Sequence, residues 1–181
     1  MKQAFIALKM FFVMTVLLGL IYPLVVTGIG RGFFPHQAGG SLIERDGKVV
    51  GSSLIAQKFA GERYFAPRPS AIDYNPLPSG GTNLGPTSKK LKEATDSARE
   101  KLGASAPQDL IFASASGLDP HISPAAAKFQ IERVAAARGF DAARKIALVE
   151  LVNSKVMHRQ LEFLGEERVN VLELNLALDR M

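Results

Sequence analysis

Residues 10–30 read MFFVMTVLLGLIYPLVVTGIG, twenty-one residues without a charged side chain between Lys9 and Arg31. At a rise of about 1.5 Å per residue, a helix of this length spans roughly 30 Å, the thickness of the hydrocarbon core of a bilayer. No other stretch of the chain is both as long and as apolar. The sequence therefore predicts an N-terminal segment, residues 1–35, with one transmembrane helix, followed by a single soluble domain over residues 36–181.

A cleaved secretory signal is the alternative interpretation of this run. The apolar core of such a signal is usually about 7–15 residues long and ends in a cleavage site of the Ala-x-Ala type. Here the run is longer, contains Pro23, and is followed by no Ala-x-Ala sequence. Tyr22, Phe33 and Phe34 supply aromatic side chains of the kind enriched at a membrane interface. We therefore interpret the run as a retained anchor.

The charges on either side of the run predict its orientation. Lys2 and Lys9 precede it, whereas Arg31 is the one basic residue that follows it before Arg45. Because segments rich in Lys and Arg stay in the cytoplasm, we expect a cytoplasmic N-terminus and a soluble domain on the outer side of the membrane.

The composition excludes several classes of function. The chain has no cysteine, which rules out disulfides and thiol chemistry. Its net charge of +5 is spread without a basic run, so nucleic-acid binding has no support. The three histidines, His36, His121 and His158, have no partners at metal-ligand spacing, so no metal site is predicted.

Local patterns predict an α+β fold that begins with strands. Two short apolar runs flank Asp46 and Gly47, a dipeptide that favours a tight turn, and together they predict a β-hairpin over residues 41–51. Residues 53–59 are compatible with a third strand. Residues 66–88 contain five prolines and many Gly, Ser and Asn residues, and therefore predict a loop.

Helices are predicted to follow this loop. One begins at residues 86–88 and ends at Leu102, with Leu91, Ala94, Ala98 and Leu102 on one stripe. Residues 109–113, of which the last four are apolar, predict a short buried strand. Ser123 and Pro124 are a helix-starting pair, and Gly139 is a helix-ending residue.

Two further helices complete the prediction. Residues 141–153 predict a helix with core candidates at Ile146, Leu148, Val149, Leu151 and Val152. The leucines after Asn170 alternate as in a strand, but Asn170 is a good N-cap and Ala177 favours a helix, so we predict a short helix.

The densest cluster of polar side chains lies between the predicted strand and the helix that begins at Ser123. A hydrolase interpretation makes Ser116 a nucleophile, His121 its base and Asp119 the group that orients the base. These residues lie within six positions of one another, whereas triad residues usually converge from separate segments. The alternative is a loop whose polar side chains satisfy its own backbone.

A second candidate is Arg68, which stands between Pro67 and Pro69. A rigid backbone on both sides would hold its guanidinium for an anion or for a carboxylate of a partner. An internal salt bridge that pins the loop is the other interpretation. The glycines of residues 80–85 lack the lysine and the spacing of a phosphate-binding loop.

Several motifs, in order along the chain, make it similar to the KdpC family, the C subunits of Kdp potassium-transporting ATPases. After the N-terminal anchor they are Tyr64-Phe65, Arg68-Pro69-Ser70-Ala71, Asn83-Leu84-Gly85-Pro86, Ser114-Ala115-Ser116-Gly117-Leu118-Asp119, Ile122-Ser123-Pro124, Arg133-Val134-Ala135, Val169-Asn170-Val171 and Leu174-Asn175. Thr82 departs from the serine that is more usual in the family, and it keeps the hydroxyl.

The resemblance implies a non-catalytic, accessory subunit of a potassium uptake complex in the bacterial inner membrane. Its partners would be a channel-like potassium-translocating subunit, a P-type ATPase subunit and the membrane lipid around the anchor. The family is described as a catalytic chaperone that raises the affinity of the ATPase subunit for ATP. We expect residues that bind a partner at Arg68, Ser70, Asn83, Asp119 and His121.

The resemblance also implies a nucleotide contact, which would fall on Ser116, Gly117 and Gln130. A domain outside the cytoplasm does not meet cytoplasmic ATP, so this attribution conflicts with the predicted orientation. We favour the orientation, and with it a domain that packs on the outer face of the channel-like subunit. A membrane-tethered periplasmic serine hydrolase is the alternative function.

Overall fold

The computed structural model describes all residues, 1–181, and the chain divides into two compact units, residues 1–50 and 51–181. The sequence predicted that a membrane segment ends and a soluble domain begins after residue 35. That boundary stays a prediction.

The first unit begins with a continuous helical run. Helix α1 spans Lys2–Val16, a π-helical segment spans Leu17–Ile21, and helix α2 spans Tyr22–Phe33. The π-helical segment ends two residues before Pro23, whose missing N–H removes the hydrogen bond to the residue four positions earlier. No residue of the run is buried, and its mean hydropathy reaches 2.4. The predicted long apolar helix is confirmed, and it is long enough to cross a bilayer.

A short helix and a hairpin complete the first unit. Helix α3 spans Pro35–Ala38, and strands β1 (Leu42–Arg45) and β2 (Lys48–Ser52) pair in a two-stranded sheet. Asp46 and Gly47 connect the strands with φ angles of 53° and 72°. Both residues therefore have the left-handed conformation of a tight hairpin turn, as the sequence predicted.

Strand β2 ends just inside the second unit, and residues 53–88, which follow it, contain neither helix nor strand. The loop prediction for residues 66–88 is confirmed, but the predicted strand at residues 53–59 is wrong. The Ser52 hydroxyl accepts a hydrogen bond from the Leu54 N–H, and the Ala56 N–H donates to the carbonyl oxygen of Leu118. A side-chain-stabilised turn and a contact with a distant loop thus replace strand pairing here.

Helix α4 (Lys89–Leu102) begins where predicted, with the Ser88 hydroxyl accepting a hydrogen bond from the Leu91 N–H. Its predicted apolar stripe is only partly covered, and the buried residue of the helix is Thr95. The strand predicted at residues 109–113 is wrong, because α5 (Gln108–Ile111) is a single helical turn after Pro107. Leu110 and Ile111 are nevertheless buried.

A small antiparallel sheet lies within the second unit. Its strand order is β3 (His121–Ile122), β5 (Arg168–Asn170), β4 (Val156–Met157). Ile122 pairs with Val169 on one side of the central strand, and Val156 pairs with the same residue on the other.

Four helices pack around this sheet. They are α6 (Pro124–Phe129), α7 (Ile131–Arg138), α8 (Ala142–Ser154) and α9 (Val171–Leu178). Helices α6 and α9 contact β5, and α8 contacts α6, α7 and α9. The result is an apolar helix followed by helices with a small sheet, which confirms the α+β class.

Local capping explains where these helices begin and end. The side chains of Ser123, Asp141 and Asn170 each accept a hydrogen bond from the backbone N–H three residues later. Gly139 ends α7 with a φ of 66°, a left-handed conformation that glycine adopts without strain. The helix predicted over residues 123–139 is present with one break, at Gln130.

The core of the second unit combines residues from most of these elements. It comprises Phe65, Leu110, Ile122, Ala126, Ala127, Ile131, Val134, Ala135, Leu148, Val152, Val169, Val171, Leu174 and Leu178. Helix α8 contributes Leu148 and Val152, whereas the predicted core residue Ile146 is 62% exposed. Residues 146 and 148 point in different directions because two helical positions are about 200° apart.

This difference predicts unequal effects of two substitutions on α8. We expect Leu148→Ala to lower the free energy of unfolding by about 2–5 kcal/mol, because it leaves a cavity in the core. Ile146→Ala should change it by about 0.5 kcal/mol or less, because the side chain is exposed. Urea unfolding of the full chain in detergent, followed by circular dichroism, measures both. Equal losses would contradict this assignment of the buried face.

Candidate functional site

The backbone of Phe65 and Ala66 is held by two side-chain amides, which we call the amide clamp. The Gln130 Oε1 accepts from the Ala66 N–H at 2.8 Å, and its Nε2 donates to the Ala66 carbonyl oxygen at 3.0 Å. The Asn175 Oδ1 accepts from the Phe65 N–H, and its Nδ2 donates to the Phe65 carbonyl oxygen, both at 2.9 Å. The clamp therefore satisfies two consecutive peptide groups that have no strand partner.

Two arginines extend this attachment toward the N-terminus of the segment. Arg133 donates to the carbonyl oxygen of Tyr64 at 3.0 Å and to the Gln130 Oε1 at 2.7 Å. Arg138 donates to the carbonyl oxygen of Arg63 at 2.8 Å, and its guanidinium lies 4.9 Å from the centre of the Tyr64 ring. Side chains of α7 thus fix the segment that leads into the proline-rich loop.

Arg68 forms an internal salt bridge with Asp119. Its Nη1 lies 3.1 Å from the Asp119 Oδ2, and both side chains are about one-third exposed. The second carboxylate oxygen of Asp119 accepts from the His121 N–H at 3.0 Å. The Arg68 carbonyl oxygen accepts from the Tyr74 hydroxyl at 2.9 Å. Of the two interpretations of the proline-flanked arginine, this geometry matches the internal salt bridge.

The polar turn at residues 114–119 packs closely on the proline-rich loop. The Ser114 N–H donates to the carbonyl oxygen of Pro69 at 2.9 Å. Gly117 has a φ of 72°, and a Cβ at this position would lie 2.6 Å from Ile72 and 2.8 Å from the carbonyl oxygen of Gly80. Both the conformation and the close approach therefore require glycine.

His121 is the one histidine of this region, and its surroundings favour the neutral ring. Burial lowers the pKa of His121 below its ordinary value of 6.5, and the charge of Arg168 acts in the same direction. The carboxylates of Asp119 and Glu173 oppose this shift. The His121 Nδ1 lies 3.8 Å from Asp119, so the two groups are close without a hydrogen bond between them.

A cleft of about 600 Å³ opens beside these residues. It is lined by Arg68, Gln108, Asp109, Phe112, Asp119, His121, Ile122, Ser123, Glu166, Glu167 and Arg168. The structure thus brings together Arg68, Asp119 and His121, three of the five residues expected to bind a partner. Whether they contact one stays a prediction.

The other two expected partner-binding residues lie elsewhere. The Ser70 hydroxyl accepts from the backbone N–H groups of Ile72 and Tyr74, so it stabilises the turn after Arg68. Asn83 has a φ of 52° and lines a separate cavity of about 530 Å³ beside α4.

The three residues of the implied nucleotide contact do not share a cavity. Ser116 is exposed and its hydroxyl accepts from the Leu118 N–H, whereas Gly117 is buried. Gln130 is only 4% exposed, lines a different cavity, and uses its amide in the clamp. No hydrogen bond joins Ser116 to His121, so the hydrolase triad is not assembled in this structure.

The clamp was not predicted from the sequence, although its residues carry a signal. Gln130 stands between Phe129 and Ile131, and Asn175 stands between Leu174 and Leu176. A side-chain amide within such an apolar run has to find partners when the run is buried. That rule predicts a buried polar contact, but not which backbone groups the amide binds.

Comparisons with known proteins identify the family. Residues 4–180 match the family model described as KdpC, the c chain of K⁺-transporting ATPase. The chain is 52% identical to the potassium-transporting ATPase KdpC subunit of Geobacter sulfurreducens, over 100% of this chain and 99% of that protein. The corresponding subunit of Bradyrhizobium diazoefficiens is 51% identical over 96% and 94%, and that of Rhodospirillum rubrum is 52% identical over 96% and 93%.

The family model spans the chain from within the long apolar helix to the end of α9. The chain therefore belongs to the KdpC family, the c chains of K⁺-transporting ATPases.

Proposed function

We propose that this chain is an accessory, non-catalytic subunit of an ATP-driven potassium uptake complex, and that it assembles or stabilises that complex. The observation that carries the proposal is the match to KdpC subunits over the whole chain. The single apolar helix, Lys2–Phe33, is consistent with an anchor beside larger membrane subunits. A channel-like potassium-translocating subunit and a P-type ATPase subunit are the proposed partners, with membrane lipid around the helix.

The soluble part of the chain is proposed to lie in the periplasm, with the N-terminus in the cytoplasm of a bacterial cell. The support is the excess of Lys2 and Lys9 over Arg31 around the helix. Lys2 and Lys9 carry two of the five net positive charges, so residues 31–181 carry +3. Because a site that concentrates cations should be negative, we infer that this part acts by packing rather than by attracting K⁺.

The proposed partner surface is the cleft beside the Arg68–Asp119 salt bridge. The amide clamp holds the backbone of Phe65 and Ala66, and the salt bridge holds the side chain of Arg68, so the cleft offers a fixed arrangement of charges. Such pre-organisation lowers the entropy lost when a partner binds. Arg68, Asp119 and His121 supply the polar groups, and the Ser70 hydroxyl stabilises the turn after Arg68. Asn83 is proposed to contact a partner at the neighbouring cavity beside α4.

We propose that the chain raises the ATP affinity of the ATPase subunit through protein contacts within the complex. It does so without contacting the nucleotide itself. The amide of Gln130 is already engaged in four hydrogen bonds, two with Ala66 and one each with Ala126 and Arg133. A nucleotide contact would have to break bonds to the partly buried backbone of Ala66 and to the buried carbonyl oxygen of Ala126, which is costly.

Assembly is the first test of this proposal. We expect the full chain, extracted in a mild detergent, to copurify with larger membrane subunits. A chain carrying the same affinity tag but lacking residues 51–181 serves as a control for capture by the anchor alone. Isolation of the intact chain as a lone monomer under these conditions would contradict the proposed function.

Topology is the second test. Protease added to intact spheroplasts should digest the part of the chain after the anchor, because the proposed orientation exposes it on the outer side. A cytoplasmic marker protein must remain intact in the same sample. Complete protection of the soluble part would reverse the orientation and restore direct access to ATP.

The third test concerns Ser116 and Gln130. Ser116→Ala should leave assembly and the ATP concentration for half-maximal activity of the complex unchanged, because its hydroxyl bonds only within its own turn. Gln130→Ala should lower the free energy of unfolding by about 1–3 kcal/mol, because the partly buried N–H and carbonyl groups of Ala66 lose their partners.

A tenfold higher ATP requirement in the Ser116→Ala complex, with assembly intact, would favour direct nucleotide contact. Loss of an esterase or amidase turnover in the same variant would favour the hydrolase alternative.

A further inference from the structure

The connection between β4 and β5 forms a projecting hairpin, residues 158–167. Gln160 and Leu164 bond to each other through both backbone N–H groups, at 2.9 and 2.8 Å. The base of the hairpin is joined by His158 and Glu167, whose Nδ1 and Oε1 atoms are 2.7 Å apart. The connection is therefore a closed hairpin rather than an open loop.

Three apolar side chains at the end of this hairpin are exposed, and we call them the apolar knob. Leu161 is 75% exposed, Phe163 is 70% exposed and Leu164 is 48% exposed. Phe163 is the only exposed phenylalanine beyond residue 34. A cluster of large apolar side chains on an exposed projection is typical of a surface that another molecule covers.

The backbone at the knob is strained in a way that presents these side chains outward. Leu161 and Glu162 have φ angles of 52° and 68°, although neither is glycine. Consecutive left-handed residues of this kind are uncommon, and they persist where the surrounding structure fixes them. The mutual hydrogen bonds of Gln160 and Leu164 provide that fixation. The knob thus has a defined shape before it meets a partner.

The charge around the knob indicates which kind of partner it fits. Residues 158–167 contain three glutamates and one arginine, so the hairpin carries −2 with His158 neutral, in a chain that carries +5. An anionic bilayer surface repels such a hairpin, since membrane-binding surfaces combine apolar side chains with Lys and Arg. A protein surface with an apolar pocket and basic residues at its edge complements it.

We propose that the apolar knob docks into an apolar pocket, edged by Lys or Arg side chains, on the periplasmic surface of a membrane-embedded partner subunit. The inference rests on the proposed function, since it requires that the chain assembles with such a subunit. It adds the surface that makes the contact and the chemistry of the surface that receives it. The apolar knob inserts into the apolar pocket, and the glutamates of the hairpin favour a partner with basic residues at the edge of that pocket.

Replacement of the apolar side chains of the knob tests whether they make the contact with the partner. In the full complex in mild detergent, the double variant Leu161→Ser/Phe163→Ser should reduce the copurified partner at least tenfold. The matched control is Ile146→Ser, because Ile146 is 62% exposed on α8; it should copurify as the parent does. Circular dichroism should give both variants the parent's unfolding midpoint, since the altered side chains are largely exposed.

The outcomes separate this inference from the proposed function. If the parent chain itself fails to copurify, the proposed function fails. If the parent copurifies and the double variant does so equally well, the docking proposal is overturned. Equal losses in the double variant and in the Ile146→Ser control would overturn it as well, because the effect would not belong to the knob.

Reversal of charge tests the choice of partner. Glu162→Lys/Glu166→Lys should weaken copurification in low salt, and added salt should narrow its difference from the parent. The same variant would bind more tightly if the hairpin instead lay on an anionic bilayer. Copurification of the variant in low salt that equals or exceeds the parent's would therefore overturn the proposed role of the glutamates.

The absence of native cysteine allows a direct test of burial. A single cysteine at Glu162→Cys should react with a water-soluble maleimide at least tenfold more slowly in the complex than in the lone chain in vesicles. Ile146→Cys should react at the same rate in both. Protection of the Glu162→Cys thiol in the lone chain would indicate insertion into lipid and would overturn the proposal.

Discussion

The fold of the second unit depends on how the peptide groups of Phe65 and Ala66 are satisfied without a neighbouring strand. Gln130 and Asn175 supply both a donor and an acceptor to each residue in turn, as a paired strand would. One amide comes from the junction of α6 and α7, and the other from α9. Because a buried, unpaired peptide group costs about 1–3 kcal/mol, this contact ties three distant parts of the chain together. Phe65 can then be fully buried in the core.

Much of the fold was predictable because its signals are local. The turn at Asp46-Gly47 and the N-caps at Ser88, Ser123 and Asn170 each act within three residues, so a sequence pattern identifies them. The two wrong strand predictions have the opposite cause. The Ala56 N–H bonds to Leu118, and the Asp109 carboxylate accepts from the Ser123 N–H. Contacts with residues distant in the sequence determine the conformation of these two segments, and a local sequence pattern does not reveal such contacts.

The candidate site shows the same division. The sequence singled out Arg68 in a rigid loop, and Asp119 and His121 in a dense polar turn, as separate candidates. It did not predict that Arg68 and Asp119 would pair with each other, at 3.1 Å. Nor did it distinguish a Gln130 that binds a ligand from one that binds its own backbone, because the residue type is equally suited to both. Burial made that distinction.

The π-helical segment at Leu17–Ile21 changes which residues of the anchor share a side. In an uninterrupted α-helix, Thr15 and Thr27 would be about 120° apart around the axis, since each residue turns by about 100°. The wider π turn accommodates one additional residue. The part of the helix after it is therefore rotated about the axis by about 100° relative to an uninterrupted α-helix. The two hydroxyl side chains then lie nearly in line, one above the other. One side of the apolar helix therefore carries both hydroxyl groups, and that of Thr15 donates to the Phe11 carbonyl oxygen at 2.8 Å.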